Sequence, residues 1–149
     1  MKTCSEIMTE NPVCCLPDDH VIMVAQLMKI KDIGAVPVIE NETSRKLVGI
    51  VTDRDITLEV VANGRDPATV KVKDVMTPNV LTCHAGDDVH QALEAMTGYQ
   101  VRRIPVVDNE DQVIGIISQA DIATRLDQPK STANVVREIS HSHVYLMAH

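Results

Sequence analysis

The sequence contains no phenylalanine and no tryptophan, and only two tyrosines. Its core must therefore be built from aliphatic side chains and methionine, and a flat ligand would have to pack against aliphatic walls. Basic residues are also fewer than acidic ones. The sequence has 14 Lys and Arg and 21 Asp and Glu, which gives a net charge of −7. This balance opposes the phosphate-neutralising surface that nucleic-acid binding requires. We expect no nucleic-acid partner.

Long apolar segments are missing as well. Uninterrupted apolar runs are only a few residues long, and the N-terminus lacks a basic region followed by an apolar one. Neither a membrane span nor a signal peptide is therefore predicted. We expect a cytoplasmic protein with no membrane partner.

None of the four cysteines belongs to a CxxC pair. Cys14 and Cys15 are adjacent, which suits neither a zinc site nor a disulfide framework. Cys15 and Cys83 lie in apolar, strand-like stretches, where a free thiol commonly serves as a small buried hydrophobe. We expect reduced structural thiols and no metal site.

The sequence repeats itself. A shift of 68 positions aligns Met8 and Thr9 with identical residues, and a shift of 66 aligns Gly49 and Asp55 with Gly115 and Asp121. Internal repeats of this kind indicate two copies of one structural unit. We predict a first copy at 1–61, a connector at 62–74, a second copy at 75–127, and a tail at 128–149 with a short amphipathic helix.

Each copy has the pattern strand, helix, strand, strand, helix. Apolar residues recur at helical spacing after an acidic pair, which is expected to accept backbone N–H groups at the helix start. Short Val- and Ile-rich runs around a polar turn predict a hairpin in each copy. The helix stripes are Val21, Val24, Ala25, Met28 and Val89, Ala92, Leu93, Met96; the acidic pairs are Asp18, Asp19 and Asp87, Asp88; the hairpin runs are 35–39 with 47–52 and 104–107 with 113–118. The fold class is therefore α/β, of the α+β kind, and the two copies are expected to bury their apolar faces against each other.

The two copies share one motif, GIVTDRD at 49–55 and GIISQAD at 115–121. A hydroxyl residue three positions before an aspartate, at a helix start, resembles a capping box, which contributes about 1 kcal/mol to helix stability. The same geometry suits a nucleotide, because the hydroxyl donates to phosphate and the aspartate accepts both hydroxyls of a ribose. The strand glycine would then let the ligand approach the backbone closely. Both interpretations stay open at this point.

The segments DIGAVPVIE with GIVTDRD, and QVRRIPVVD with GIISQAD, resemble a tandem pair of cystathionine-β-synthase (CBS) domains, a Bateman module. The resemblance covers about residues 5 to 127. It implies two βαββα repeats packed through their sheets with pseudo-two-fold symmetry, two nucleotide clefts between the repeats, and a homodimer.

The resemblance also assigns residues to the two clefts. It implies that hydroxyl and aspartate of one repeat hold phosphate and ribose, while the other repeat contacts the base and the phosphates. One cleft would contain Thr52, Asp55, Val80, Leu81, Arg102 and Arg103. The other would contain Ser118, Asp121, Pro12, Val13, Gly34 and Ala35. Because only the first cleft has two guanidinium groups, it is predicted to bind phosphate better.

The function that the resemblance implies is a non-catalytic regulatory or sensor module. Its regulatory ligand is expected to be an adenine nucleotide, AMP in the first place and ADP or ATP next, with no further cofactor. The module would act on a separate regulated protein or alone. The sequence has no GxSxG and no Walker-type glycine loop, so no catalytic residues are assigned. Two alternatives remain: a dimerisation module that binds no nucleotide, and a metal-binding or redox-responsive protein based on the cysteines with His141, His143 and His149.

Overall fold

The Val- and Ile-rich runs of both copies form neighbouring strands, as the sequence predicts. The structure, a computed structural model, describes residues 2–125 and is a mixed α+β fold. The predicted tail helix and the tail histidines lie outside the described residues. In chain order the elements are α1 (Cys4–Ile7), β1 (Thr9–Glu10), α2 (Val21–Lys31), β2 (Ala35–Ile39), β3 (Leu47–Thr52), α3 (Asp53–Ile56) with a π-helical turn (Thr57–Val61), a 3₁₀ turn (Val72–Asp74), β4 (Cys83–His84), α4 (Val89–Tyr99), β5 (Arg103–Val107), β6 (Val113–Ser118) and α5 (Gln119–Arg125).

These elements divide into two compact units. The first-copy unit comprises residues 11–80 and 109–113, and the second-copy unit comprises residues 2–10, 81–108 and 114–125. The division follows contacts in space, and the repeat boundaries read from the sequence stay a prediction.

In the first-copy unit, β2 and β3 form an antiparallel hairpin in which Ala35 pairs with Thr52 and Val38 pairs with Gly49. Cys15 bridges to Val38 in parallel. Helix α2 covers this layer with Val21 and Val24, and all eleven members of the core are small or medium aliphatic residues or cysteine. The core consists of Cys15, Val21, Val24, Val36, Val38, Val51, Ile56, Val60, Val70, Val72 and Val75.

In the second-copy unit, four strands form one sheet in the order β1-β6-β5-β4, with β4 parallel to β5 and β1 antiparallel to β6. The predicted stripe of α4 is buried against it along its whole length. The core consists of Cys4, Ile7, Cys83, Val89, Ala92, Leu93, Met96, Ile104, Val106, Ile117 and Ile122.

The acidic pairs before α2 and α4 differ from each other. Asp88 is the N-cap of α4 and accepts the backbone N–H of His90 over 2.9 Å, as predicted. The prediction was wrong for α2, whose N-cap His20 makes no side-chain cap. Asp19 instead accepts the backbone N–H of Leu16, because it stands one position too early for the helix.

Each Met-Thr segment packs in the unit of the other copy. Thr9, at the start of the first sequence copy, pairs with Ile116 in the second-copy unit. Thr77, at the start of the second, bridges to Ile50 in the first-copy unit.

Within residues 2–125, no helix has the length and apolar character needed to cross a membrane.

Candidate functional site

Thr52 and Asp55 close a pair of hydrogen bonds at the end of β3. The backbone N–H of Thr52 donates to Asp55 Oδ2 over 2.9 Å, and the backbone N–H of Asp55 donates to Thr52 Oγ1 over 3.1 Å. This is the predicted capping box, with Asp in place of Glu or Gln. Both side chains are half-buried. Within residues 2–125, no hydrogen bond uses Asp55 Oδ1 or the hydroxyl hydrogen of Thr52, so one acceptor and one donor remain available side by side.

Ser118 and Asp121 repeat this box at the end of β6. The backbone N–H of Ser118 donates to Asp121 Oδ2 over 2.9 Å, and the backbone N–H of Asp121 donates to Ser118 Oγ over 3.2 Å. The hydroxyl of Ser118 also donates to Asp121 Oδ2, over 3.0 Å. The second box therefore uses its hydroxyl hydrogen internally.

Asp121 has two further neighbours that Asp55 lacks. The hydroxyl of Thr9 donates to Asp121 Oδ1 over 3.2 Å, and Arg125 Nη1 lies 3.9 Å from the same oxygen. Asp121 is 8% exposed and is the one charged residue that the structure buries within residues 2–125. Burial of a carboxylate is costly unless it is hydrogen-bonded and paired, and these contacts satisfy it.

On the side where a β-carbon would lie, each motif glycine is covered by a methionine of the protein itself. A β-carbon at Gly49 would come within 2.7 Å of Met76 Sδ, and one at Gly115 would overlap Met8 Sδ. The methionine of each Met-Thr segment thus fills the space above a strand glycine. Glycine is required there for packing of the protein itself.

The residues that precede the buried part of β2 and β5 lie beside the boxes of their own units. Gly34 C=O accepts the backbone N–H of Asp53 over 3.0 Å, and Arg102 C=O accepts the backbone N–H of Gln119 over 3.1 Å. Arg102 Nε is buried and has no hydrogen-bond partner in the described part of the chain. A buried donor without a partner is costly, and an anion at this position would satisfy it.

Some of the predicted cleft residues lie beside a capping box, but not beside the box with which the prediction combined them. Gly34 and Ala35 lie beside Thr52 and its box, and Arg102 and Arg103 enter β5 beside the strand that ends at Ser118. The remaining residues are partly buried. The first-copy unit contains Pro12, Val13, Gly34, Ala35, Thr52, Asp55 and Val80, and the second-copy unit contains Leu81, Arg102, Arg103, Ser118 and Asp121. The predicted combinations join residues of different units and stay predictions.

The cysteine thiols are free and mostly buried. Burial raises the pKa of Cys15 to about 12. A hydrogen bond with Cys4, together with burial, also raises the pKa of Cys83. At Cys15 and Cys83 the raised pKa values disfavour the thiolate that metal binding and thiol exchange require. No group of three or more His, Cys, Asp or Glu with metal-binding proximity occurs in residues 2–125.

Sequence reasoning missed Thr9 and Arg125, the two residues that cover Asp121. Thr9 lies 112 positions before its partner Asp121. The repeated Met-Thr pair was visible in the sequence, but its spacing gives no sign that each segment packs in the other copy's unit. Arg125 has no basic counterpart in the first copy, where Glu59 follows Asp55 by the same four positions.

Comparisons with known proteins agree with this fold. A model of the CBS domain matches residues 4–62 and 72–128. The CBS domain-containing protein YhcV of Bacillus subtilis is 31% identical over 145 residues, which are 97% of this chain and 100% of that protein. A crystal structure of Hypoxic Response Protein I with two coordinated zinc ions is similar with a TM-score of 0.74 and 33% identity, over 84% of this chain and 99% of that one. A crystal structure of CBSX2 in complex with AMP has a TM-score of 0.72 and 26% identity, over 87% and 99%. Because the matched segments span most of its length, the chain belongs to the CBS domain family and has two CBS domains in tandem.

Proposed function

We propose that this protein is a non-catalytic regulatory module that binds an adenine nucleotide, with AMP as its preferred ligand. The observation that carries the proposal is the Thr52–Asp55 box, in which a carboxylate oxygen and a hydroxyl hydrogen have no partner within residues 2–125. A carboxylate oxygen accepts hydrogen bonds from a ribose diol, and a hydroxyl donates to a phosphate oxygen. The complex of the similar protein CBSX2 with AMP supports the choice of ligand.

Arg102 is the proposed phosphate contact in the site with Thr52 and Asp55. Its buried Nε lacks a partner in the described residues, and a phosphate oxygen would supply a charge-assisted hydrogen bond. Arg103 is proposed as a second cation at the same strand entrance. We also propose that Val80 and Leu81 contact the base in the site with Thr52, and that Pro12 and Val13 do so in the site with Ser118. Gly34 and Ala35 would lie at the phosphate of that second site and offer it no charge.

Aliphatic contact and backbone hydrogen bonds would hold the base, because the chain has almost no aromatic residues. Ligand binding would stabilise one packing of the module over another, and this shift is what a regulated partner would sense. We also propose that the module forms a homodimer and that it acts on a separate regulated protein.

A thermal-shift panel tests the proposal. AMP, ADP, ATP and S-adenosylmethionine are compared with GMP and GTP on the wild-type chain. A ligand present at about 100 times its Kd adds ~2.7 kcal/mol to stability by mass action, so adenine nucleotides are expected to raise the melting temperature and guanine nucleotides are not. If no nucleotide shifts the transition, the dimerisation module that binds no nucleotide replaces this proposal.

The zinc ions of Hypoxic Response Protein I favour metal binding as a second candidate. The tail residues His141, His143 and His149 would be its ligands, together with a cysteine, and they lie outside the described residues. Zinc content after dialysis tests this candidate. Stoichiometric zinc that is lost on truncation after Ser140 supports it, and metal-free protein after dialysis contradicts it.

A further inference from the structure

Both carboxylate oxygens of Asp121 accept hydrogen bonds within residues 2–125. Its Oδ2 accepts two hydrogen bonds from Ser118, from the backbone N–H over 2.9 Å and from the hydroxyl over 3.0 Å. Its Oδ1 accepts the hydroxyl of Thr9 over 3.2 Å. A hydroxyl on a carboxylate oxygen is the contact that a ribose diol would make there.

Arg125 holds the N-terminal segment in place beside this carboxylate. Its Nη1 donates to Ile7 O over 3.0 Å and to Met8 O over 2.7 Å, and lies 3.9 Å from Asp121 Oδ1. The guanidinium therefore connects the backbone immediately before Thr9 with the carboxylate that Thr9 contacts. Hydrogen bonds from a charged donor are stronger than neutral ones, so the Thr9 hydroxyl is held at Asp121.

The first-copy unit has the same backbone arrangement but, among the described residues, lacks the contacts that Arg125 makes in the second-copy unit. Thr77 pairs with Ile50 through two backbone hydrogen bonds of 2.8 and 3.0 Å, as the counterpart of Thr9 and Ile116. Within residues 2–125, however, the Thr77 hydroxyl makes no hydrogen bond with Asp55. Glu59 stands where Arg125 stands in the second copy, and a carboxylate neither pairs with Asp55 nor donates to a carbonyl.

We infer that Thr9 is an internal competitor for the ribose position on Asp121. This inference rests on the proposed function and names the residues that make the two boxes unequal. The Thr52–Asp55 box takes the first nucleotide because its Oδ1 is unoccupied. The Ser118–Asp121 box takes a nucleotide only when the Thr9 side chain rotates away, so Thr9 and Arg125 set its affinity.

The variant Thr9→Val tests the inference, because valine keeps the branched shape and the backbone pairing with Ile116 but removes the hydroxyl. The measurement is made by calorimetry with AMP in chains that also contain Asp55→Asn, so that the Ser118–Asp121 box is observed alone. Thr77→Val is the matched control at the equivalent position. Thr9→Ser restores a hydroxyl and is expected to bind like the chain with Thr9.

The Thr9→Val, Asp55→Asn chain is expected to bind AMP about tenfold more tightly than the Asp55→Asn chain, the effect of one hydrogen bond to a charged group. Thr77→Val is expected to leave the affinity unchanged. Equal or weaker binding after Thr9→Val overturns the inference while the proposed function stands. Absence of AMP binding to the wild-type chain overturns both.

Discussion

Gly115 lies directly against the side chain of Met8, which fills the space that a β-carbon on the glycine would need. The same relationship joins Gly49 and Met76, where the distance from the added β-carbon to Sδ would be 2.7 Å. In both units, a methionine from a segment distant in sequence crosses the strand that leads into the capping box. The glycines of the motif thus position the Met-Thr segments.

Gly115→Ala is expected to destabilise the protein by about 1–3 kcal/mol, because the added methyl overpacks a filled site. Urea denaturation measures this loss. A second substitution, Met8→Ala, removes the opposing side chain and should make Gly115→Ala less costly in that background. Gly98→Ala is the control, since Gly98 lies in α4 with open space around it, and it should stabilise the helix by about 0.5–1 kcal/mol. Equal losses at Gly98 and Gly115 would contradict this account.

Asp88 should make the stability depend on pH in acid. Two hydrogen bonds from His90 hold the pKa of Asp88 below its usual value. The larger effect comes from the backbone N–H and the smaller from the ring. The unfolded chain therefore binds this proton more readily, and the stabilisation is present above the unfolded pKa and lost as the pH falls through the folded pKa.

The matched variant is Asp88→Asn, which still caps the helix but carries no charge. Its melting temperature should be lower than that of the wild type at neutral pH, and the difference should shrink below about pH 4, near the unfolded pKa of Asp. A difference that stays constant from neutral pH to acid would show that the charge of Asp88 contributes nothing.

Arg102→Ala should weaken AMP binding by about tenfold, or ~1.4 kcal/mol, because the buried Nε would lose a phosphate partner. Adenosine has no phosphate, and its affinity should be unchanged by the substitution. Arg103→Ala is measured in parallel. If neither substitution weakens AMP binding, the prediction that the arginines create the stronger phosphate site is wrong.

A homodimer should depend on apolar side chains that the first-copy unit leaves exposed, notably Ile30 at 74% and Val61 at 67% exposure. Ile56 and Val60, in contrast, are buried in the unit's own core. Ile30→Glu with Val61→Glu should shift sedimentation from dimer to monomer. Lys29→Glu is the control, because it changes a charge on α2, the helix of Ile30, and it should leave the dimer intact. A wild-type chain that sediments as a monomer at all concentrations would contradict the homodimer.

Local patterns predicted the local structure accurately. The hairpin runs 35–39 and 47–52 match β2 and β3 residue for residue, because aliphatic runs and a polar turn are encoded in neighbouring positions. The TxxD spacing likewise predicted both capping boxes. The contact of Thr9 with Asp121 was not predictable, since no periodicity connects residues 112 positions apart.

The central claim is that the Thr52–Asp55 box binds the ribose of AMP, and calorimetric titration of Asp55→Asn with AMP tests it most directly. Asparagine can still accept the backbone N–H of Thr52, but it offers one neutral carbonyl oxygen in place of two charged oxygens. Asp53→Asn, at the exposed neighbouring position, is the control. The account predicts that the first AMP site of the wild type is weakened at least about tenfold in Asp55→Asn and unchanged in Asp53→Asn. Wild-type affinity in Asp55→Asn would contradict it.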